Sequence, residues 1–165
     1  MQTPKKRILC VDDHEDSNRM MKVLLEMWDY EVALADTASE GLRLAQSERF
    51  DLYLLETCLP EISGLEMCKQ ICGVSEHAPI VFISAAAYKN DIQRGLQAGA
   101  LAYITKTLDF EILKITLKQL FPKALGKGLG KPLKGSRVAT TPAHLPMGRR
   151  NESGSVRSSA TEMQP

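Results

Sequence analysis

Five apolar runs with strand character, Arg7–Val11, Glu31–Ala35, Leu52–Glu56, Ile80–Ser84 and Ala102–Thr105, alternate along the chain with segments of helical periodicity. This alternation is the strongest constraint on the fold. Strands separated by about a dozen residues or more of helix do not close as hairpins; they pair in parallel through right-handed crossovers that lay helices on both faces of the sheet. The expected class is α/β, a doubly wound five-stranded parallel sheet.

The helical segments carry their own signals. Met20, Val23, Leu24 and Met27 recur at i, i+3, i+4 and i+7, which predicts that they form the inward face of a helix beginning near Asp16. Thr37-Ala-Ser-Glu40 has the capping-box pattern, in which hydroxyl and carboxylate satisfy free N–H groups at a helix start. A third helix is expected after Pro60 and Gly64, with Leu65, Cys68 and Cys72 facing inward. A fourth is expected over residues 89–98, and Phe110, Leu113, Leu117 and Leu120 stripe a fifth.

After Phe121-Pro122 the periodicity dissolves into glycine, lysine, serine, threonine and proline with few large apolar residues. Such a stretch buries too little surface to offset its ordering entropy. The expected organisation is one folded domain over residues 1–122 and a disordered basic tail over 123–165. Charge divides at the same place. Residues 1–122 hold 13 Lys/Arg against 18 Asp/Glu, and residues 123–165 hold 8 against 2, so the overall +1 conceals an acidic domain and a basic tail.

No stretch reaches the roughly 18 apolar residues of a membrane span, and Lys5-Lys-Arg7 precedes only a short apolar run, unlike a secretory leader. A cytoplasmic location is expected. Cys10, Cys58, Cys68 and Cys72 show no disulfide framework and are read as reduced thiols. Cys68 and Cys72, four apart with His77 nearby, could hold a metal, but cysteines on a helix more commonly serve as small buried hydrophobes.

In a doubly wound sheet the ligand crevice lies beyond the carboxyl ends of the strands, where strand order reverses. Asp12, Asp13, Glu56, Ser84 and Lys106 all fall at such ends. Converging carboxylates repel one another and need a cation, and hard oxygen donors with room for water suit Mg²⁺, so Asp12, Asp13 and Glu56 are the candidate metal ligands. A metal, a hydroxyl and an ammonium around a carboxylate suit phosphoryl transfer, which is mostly positioning and charge stabilisation.

Taken together over residues 7–121, Val11-Asp-Asp13, Leu59-Pro60, Gly64, Ser84-Ala85 and Tyr103-Ile-Thr-Lys106 resemble the response-regulator receiver domain. Members of that family take a phosphoryl group from a histidine kinase onto a strand-end aspartate. The resemblance implies a flavodoxin-like fold and a role in phosphorelay signal transduction within a two-component system. It also implies a weak Mg²⁺ site, Ser84 and Lys106 as holders of phosphoryl oxygens, and Tyr103 as a switch aromatic that turns inward on phosphorylation. A half-buried edge-strand tyrosine is the plainer reading of Tyr103.

Three positions depart from the family. Glu56 stands at the phosphoacceptor position where aspartate belongs, and its extra methylene moves the carboxylate about 1.5 Å outward. A displacement of about 1 Å can cost on the order of a hundredfold in rate, so Glu56 is not expected to be phosphorylated. The same reach brings one negative charge towards Ser84 and Lys106. Glu56 would then be a partial mimic, with about −1 charge against roughly −1.5 to −2 for a phosphoryl group, leaving both partial activation and inactivity open. Thr107 replaces the proline that the family joins to the lysine by a cis bond, and a trans bond is expected here. Leu101 adds an apolar residue beside Tyr103 and could extend a partner-binding face.

The leading expectation is a single-domain pseudo-receiver, not an enzyme, that signals by protein–protein contact through the face of the fourth helix, fifth strand and fifth helix, with a sensor histidine kinase upstream. A hydrolase or phosphatase of related α/β architecture is the enzymatic alternative. Those resembling haloacid dehalogenases carry Asp-x-Asp, whereas this chain has Asp12-Asp13-His14, and a lone His14 near a helix start is read as solvent-facing. The third reading assigns function to the basic tail as a salt-sensitive binder of anionic polymers or surfaces, without specific nucleic-acid recognition.

Overall fold

The computed structural model describes residues 4–74, 78–106 and 110–122, together with the backbone of 138–139. Strands β1 (Arg7–Val11), β2 (Glu31–Ala35), β3 (Leu52–Leu55), β4 (Ile80–Ser84) and β5 (Ala102–Thr105) alternate with helices α1 (Glu15–Met27), α2 (Ala38–Ser47), α3 (Gly64–Val74), α4 (Lys89–Gln97) and α5 (Glu111–Leu120). The order across the sheet is β2-β1-β3-β4-β5, all parallel, and a two-residue strand β6 (Val138–Ala139) pairs in parallel with Ala102–Tyr103 at the β5 edge. The expected doubly wound α/β fold is therefore observed. The tail expected to be disordered lies outside the described residues apart from β6, as do Thr107 and His77.

Side-chain alternation along the strands builds two cores. Leu9, Val11, Tyr53, Leu55, Phe82 and Tyr103 point to one face, where they meet Met67 and Ile71 of α3 and Ile92 of α4. Ile8, Cys10, Leu52, Leu54, Val81, Ile83 and Ile104 point to the other and meet Met21 and Leu25 of α1 and Leu113 and Leu117 of α5. The period of two in a strand and of 3.6 in a helix makes both sets contiguous. β3 and β4 are buried throughout, as continuous apolar runs in a sheet covered on both faces should be.

The α1 stripe differs from expectation. Met20, Val23 and Met27 are exposed, Leu24 is half-buried, and the buried residues are Asn18, Met21 and Leu25. The phase of the helix is set by Asn18, whose amide nitrogen lies 2.7 Å from the Asp12 carbonyl, 3.1 Å from the Ala35 carbonyl and 2.9 Å from Asp36 Oδ1. A buried amide nitrogen that donates to two strand ends outweighs an apolar count, because leaving it unpaired would cost about 1–3 kcal/mol. On α3, likewise, Met67, Cys68 and Ile71 are buried, Leu65 is half-buried and Cys72 is exposed. At α2 the Thr37 hydroxyl accepts from the Glu40 N–H as the capping pattern requires.

The turn after β3 depends on Gly64. Its N–H donates to the Thr57 carbonyl at 2.9 Å, and a Cβ there would lie 1.9 Å from the Glu56 carbonyl oxygen. Only glycine permits this contact between α3 and the end of β3. We predict that Gly64→Ala lowers stability by about 1–3 kcal/mol through overpacking, measured by urea unfolding. An unchanged midpoint would contradict the contact.

Candidate functional site

The strand order reverses between β1 and β3: β1 leads to β2 on one side and β3 to β4 on the other. Side chains following β1, β3, β4 and β5 therefore meet in one crevice. Asp12 follows β1, Glu56 follows β3, Ser84 ends β4 and Lys106 follows β5. The backbone N–H of Glu56 donates to the Val11 carbonyl at 2.9 Å, and that of Lys106 to the Ser84 carbonyl at 2.7 Å, so pairing persists one residue past each strand.

Lys106 is the centre of charge. Its ammonium lies 2.5 Å from Asp12 Oδ2 and 2.9 Å from Glu56 Oε2, bridging the two carboxylates. Asp12 Oδ2 also accepts from the Ser17 hydroxyl at 2.6 Å, and Oδ1 accepts from the His14 N–H at 3.1 Å. The other Glu56 oxygen, Oε1, accepts from the Thr57 and Cys58 N–H groups at 2.6 and 3.2 Å and from the Ser84 hydroxyl. The longer glutamate arm has curled back onto its own backbone while still reaching Ser84 and Lys106.

Burial works against ionising Glu56 and Asp12, but the bonds from Ser84, Lys106 and Cys58 to Glu56, and from Lys106, Ser17 and His14 to Asp12, prevail and hold both carboxyls below their ordinary range. Burial likewise opposes the charge on Lys106, and the two carboxylates outweigh it, raising the ammonium above its ordinary value. Both carboxylates are thus ionised and the lysine protonated near neutral pH.

Asp13 stands apart from this bridge. The ligand atoms of Asp12, Asp13 and His14 lie within 4.8 Å of one another, with the His14 ring 3.1 Å from Asp13 Oδ1, and Glu56 does not belong to that group. The three carboxylates expected to surround one cation are divided: Glu56 turns to Lys106 and Ser84, and Asp12 is shared between Lys106 and the acidic pair. Asp12 and Asp13 are hard oxygen donors suited to Mg²⁺, whereas the oxygens of Glu56 are taken up by the ammonium, Ser84 and backbone N–H groups.

Tyr103 is fully buried, beyond the half-buried state of the plainer reading, and its hydroxyl donates to the Ala86 carbonyl at 2.7 Å. Burial raises its phenol, with hydrogen bonds to Ser84 and Thr57 pulling the other way. The ring fits because α4 has Gly95 beside it: a Cβ there would lie 2.7 Å from Tyr103 Cδ2. Leu101 is half-buried next to it.

Thr57, Ser17, Asn18 and Ala86 take part without having been singled out in the sequence. Thr57 is the most informative. It is a hydroxyl two residues past an apolar strand, a place where alternation marks strand-end residues but not the first residue of the loop. Cys68 and Cys72 form no metal cluster among the described residues, and all four cysteines are free. No described helix is long and apolar enough to cross a membrane.

Comparison with known proteins shows the family and the fold. The family model described as the response regulator receiver domain matches residues 8–118. The response regulator ArlR of Staphylococcus saprophyticus is 35% identical over 123 residues, covering 74% of this chain and 56% of that protein. This chain thus spans about half the length of that relative. A CheY-like receiver domain protein from Methanospirillum hungatei superposes with a TM-score of 0.68 at 31% identity, covering 73% of this chain and 97% of that one. A response regulator from Burkholderia pseudomallei, solved with a phosphorylated aspartic acid, a calcium ion and citrate, gives a TM-score of 0.64 at 27% identity, covering 73% of this chain and 69% of that one.

The charges predict an acid sensitivity. Carboxyls held low in the folded state stabilise it above their unfolded values, near 4, and that contribution is lost as pH falls through the folded values. Lys106, held high, contributes below about 10.4 and is lost as pH rises past its folded value. The parent should therefore lose more stability than Glu56→Gln between about pH 5 and pH 3 in urea titrations. Parallel losses would show that Glu56 is not held ionised by these bonds.

Proposed function

The chain belongs to the response regulator receiver family, and we propose that it serves two-component signalling as a pseudo-receiver in which the Glu56 carboxylate stands in for a phosphoryl group. One observation carries this reading: the Glu56 carboxylate itself engages both Ser84 and Lys106 while Tyr103 is fully buried. Ser84 and Lys106 are the groups that would otherwise hold phosphoryl oxygens, and Tyr103 acts as the switch aromatic. One carboxylate brings less charge and fewer acceptor oxygens than a phosphoryl group, so the mimicry is partial.

The output is contact with a protein partner through α4, β5 and α5, where Tyr103 and Leu101 sit, and the protein acts in the cytoplasm as a signalling module and not an enzyme. A sensor histidine kinase remains a partner by surface recognition even where transfer to Glu56 fails. The tail over 123–165 is an appendage to a domain ending near residue 122.

Asp12 and Asp13 are the residues that would hold Mg²⁺, which when bound would supply positive charge to offset an anionic phosphoryl group. Because Lys106 already neutralises Asp12 in part, binding is weak. Replacing both aspartates by asparagine should abolish Mg²⁺ binding in calorimetry, and undiminished binding would exclude the acidic pair.

Glu56→Asp tests the proposal directly. The shorter arm vacates the space between Ser84 and Lys106 and leaves Asp12 and Asp13 unaltered. With Mg²⁺ and acetyl phosphate, intact mass should show one added phosphoryl group on Glu56→Asp and none on the parent. Modification of the parent would overturn the pseudo-receiver reading, and an unmodified Glu56→Asp protein would mean that Glu56 is not the sole lesion.

A further inference from the structure

Thr57 directly follows Glu56 and is buried, yet its hydroxyl faces the crevice. Its Oγ1 lies 2.6 Å from Ser84 Oγ and 3.1 Å from Glu56 Oε1. Each hydroxyl has one proton. Thr57 can donate its one proton to Glu56 Oε1 at 3.1 Å or to Ser84 Oγ at 2.6 Å; because Ser84 gives its own proton to Glu56, the shorter contact is the one that Thr57 donates. Ser84 Oγ also accepts from the Ala86 N–H at 3.2 Å, which completes its two acceptor positions. Ala86 in turn receives the Tyr103 hydroxyl on its carbonyl.

The bonds form one directed chain: Thr57 to Ser84 to Glu56 on one side, and Ser84 through Ala86 to Tyr103 on the other. Thr57 and the Ala86 N–H occupy acceptor positions of Ser84, whose own proton goes to Glu56, while the Tyr103 hydroxyl also borders Ser84 and Thr57. We propose that Thr57 is a positioning residue that fixes Ser84 between Glu56 and Ala86 and so holds Tyr103 inward. This rests on reading Glu56 as a phosphoryl stand-in and adds how that carboxylate is communicated to the partner face. Without the Thr57 hydroxyl, Ser84 can rotate its proton away from Glu56, and the Ala86 segment, whose carbonyl accepts from the Tyr103 hydroxyl, is held less firmly.

The test compares the full-length parent with Thr57→Val, Thr57→Ser and Glu56→Gln. Valine keeps the branched shape and removes the hydroxyl; serine restores it. Accessible phenols are acetylated with N-acetylimidazole and mapped by peptide mass. Tyr88, 81% exposed, serves as the reactive standard, and buried Tyr30 and Tyr53 serve as protected ones. Acetylation of Tyr103 should be slow in the parent, about five- to tenfold faster in Thr57→Val, as loss of one hydrogen bond implies, and slow again in Thr57→Ser.

An unchanged Tyr103 rate in Thr57→Val, failure of serine to restore protection, or simultaneous exposure of Tyr30 and Tyr53 would each overturn the assignment. The Glu56→Gln arm separates the two levels. Tyr103 remaining protected there while exposed in Thr57→Val would refute Glu56 as stand-in and leave Thr57 as the residue that positions Tyr103. The reverse pattern would refute the role of Thr57 alone.

Discussion

The Lys106 ammonium, placed between Asp12 and Glu56, is the interaction on which the rest of the crevice depends. Two carboxylates this deep in a domain repel each other, and an isolated buried charge is costly, so a cation has to stand between them. In this chain the lysine itself fills that place. Its two partners follow β1 and β3 and it follows β5, so the ion pairs also tie together three strand ends that no crossover joins directly.

From that bridge the effects extend outward by hydrogen bonds and packing. Neutralising one oxygen of Glu56 leaves the other to collect the Ser84 hydroxyl and two backbone N–H groups, which settles the loop after β3. Ser84 then fixes Ala86, and Ala86 fixes the Tyr103 hydroxyl. The ring can lie inward only because α4 has no side chain at Gly95 and because Phe82 packs 5.8 Å away, ring centre to ring centre. A run of contacts thereby links the charges beyond the strand ends to the buried Tyr103 on β5.

Strand positions and fold class were legible in the sequence because a parallel sheet covered on both faces needs long apolar runs at regular intervals, and this chain has them. The crevice residues were legible for the same reason: a polar residue ending an apolar run has one place to go. The rotation of α1 was not, since apolar counting favours Met20, Val23 and Met27, whereas a single buried amide, Asn18, decides which face turns inward. The division of the carboxylates was hidden too. Strand order brings Asp12, Asp13 and Glu56 to one end of the sheet, but which of them meets the lysine depends on side-chain length and on the local backbone of Thr57 and Cys58, and neither has periodicity. Thr57 was missed because loop residues carry no pattern that points to a partner 27 positions away.

The central claim is that Tyr103 is held inward by Glu56 in the absence of any phosphoryl donor. Proton NMR of the unmodified, donor-free protein tests this most directly, through nuclear Overhauser contacts of the Tyr103 ring. The account predicts strong contacts from that ring to the Gly95 α-protons and the Phe82 ring. Their absence, with the Tyr103 ring protons exposed to solvent, would contradict it.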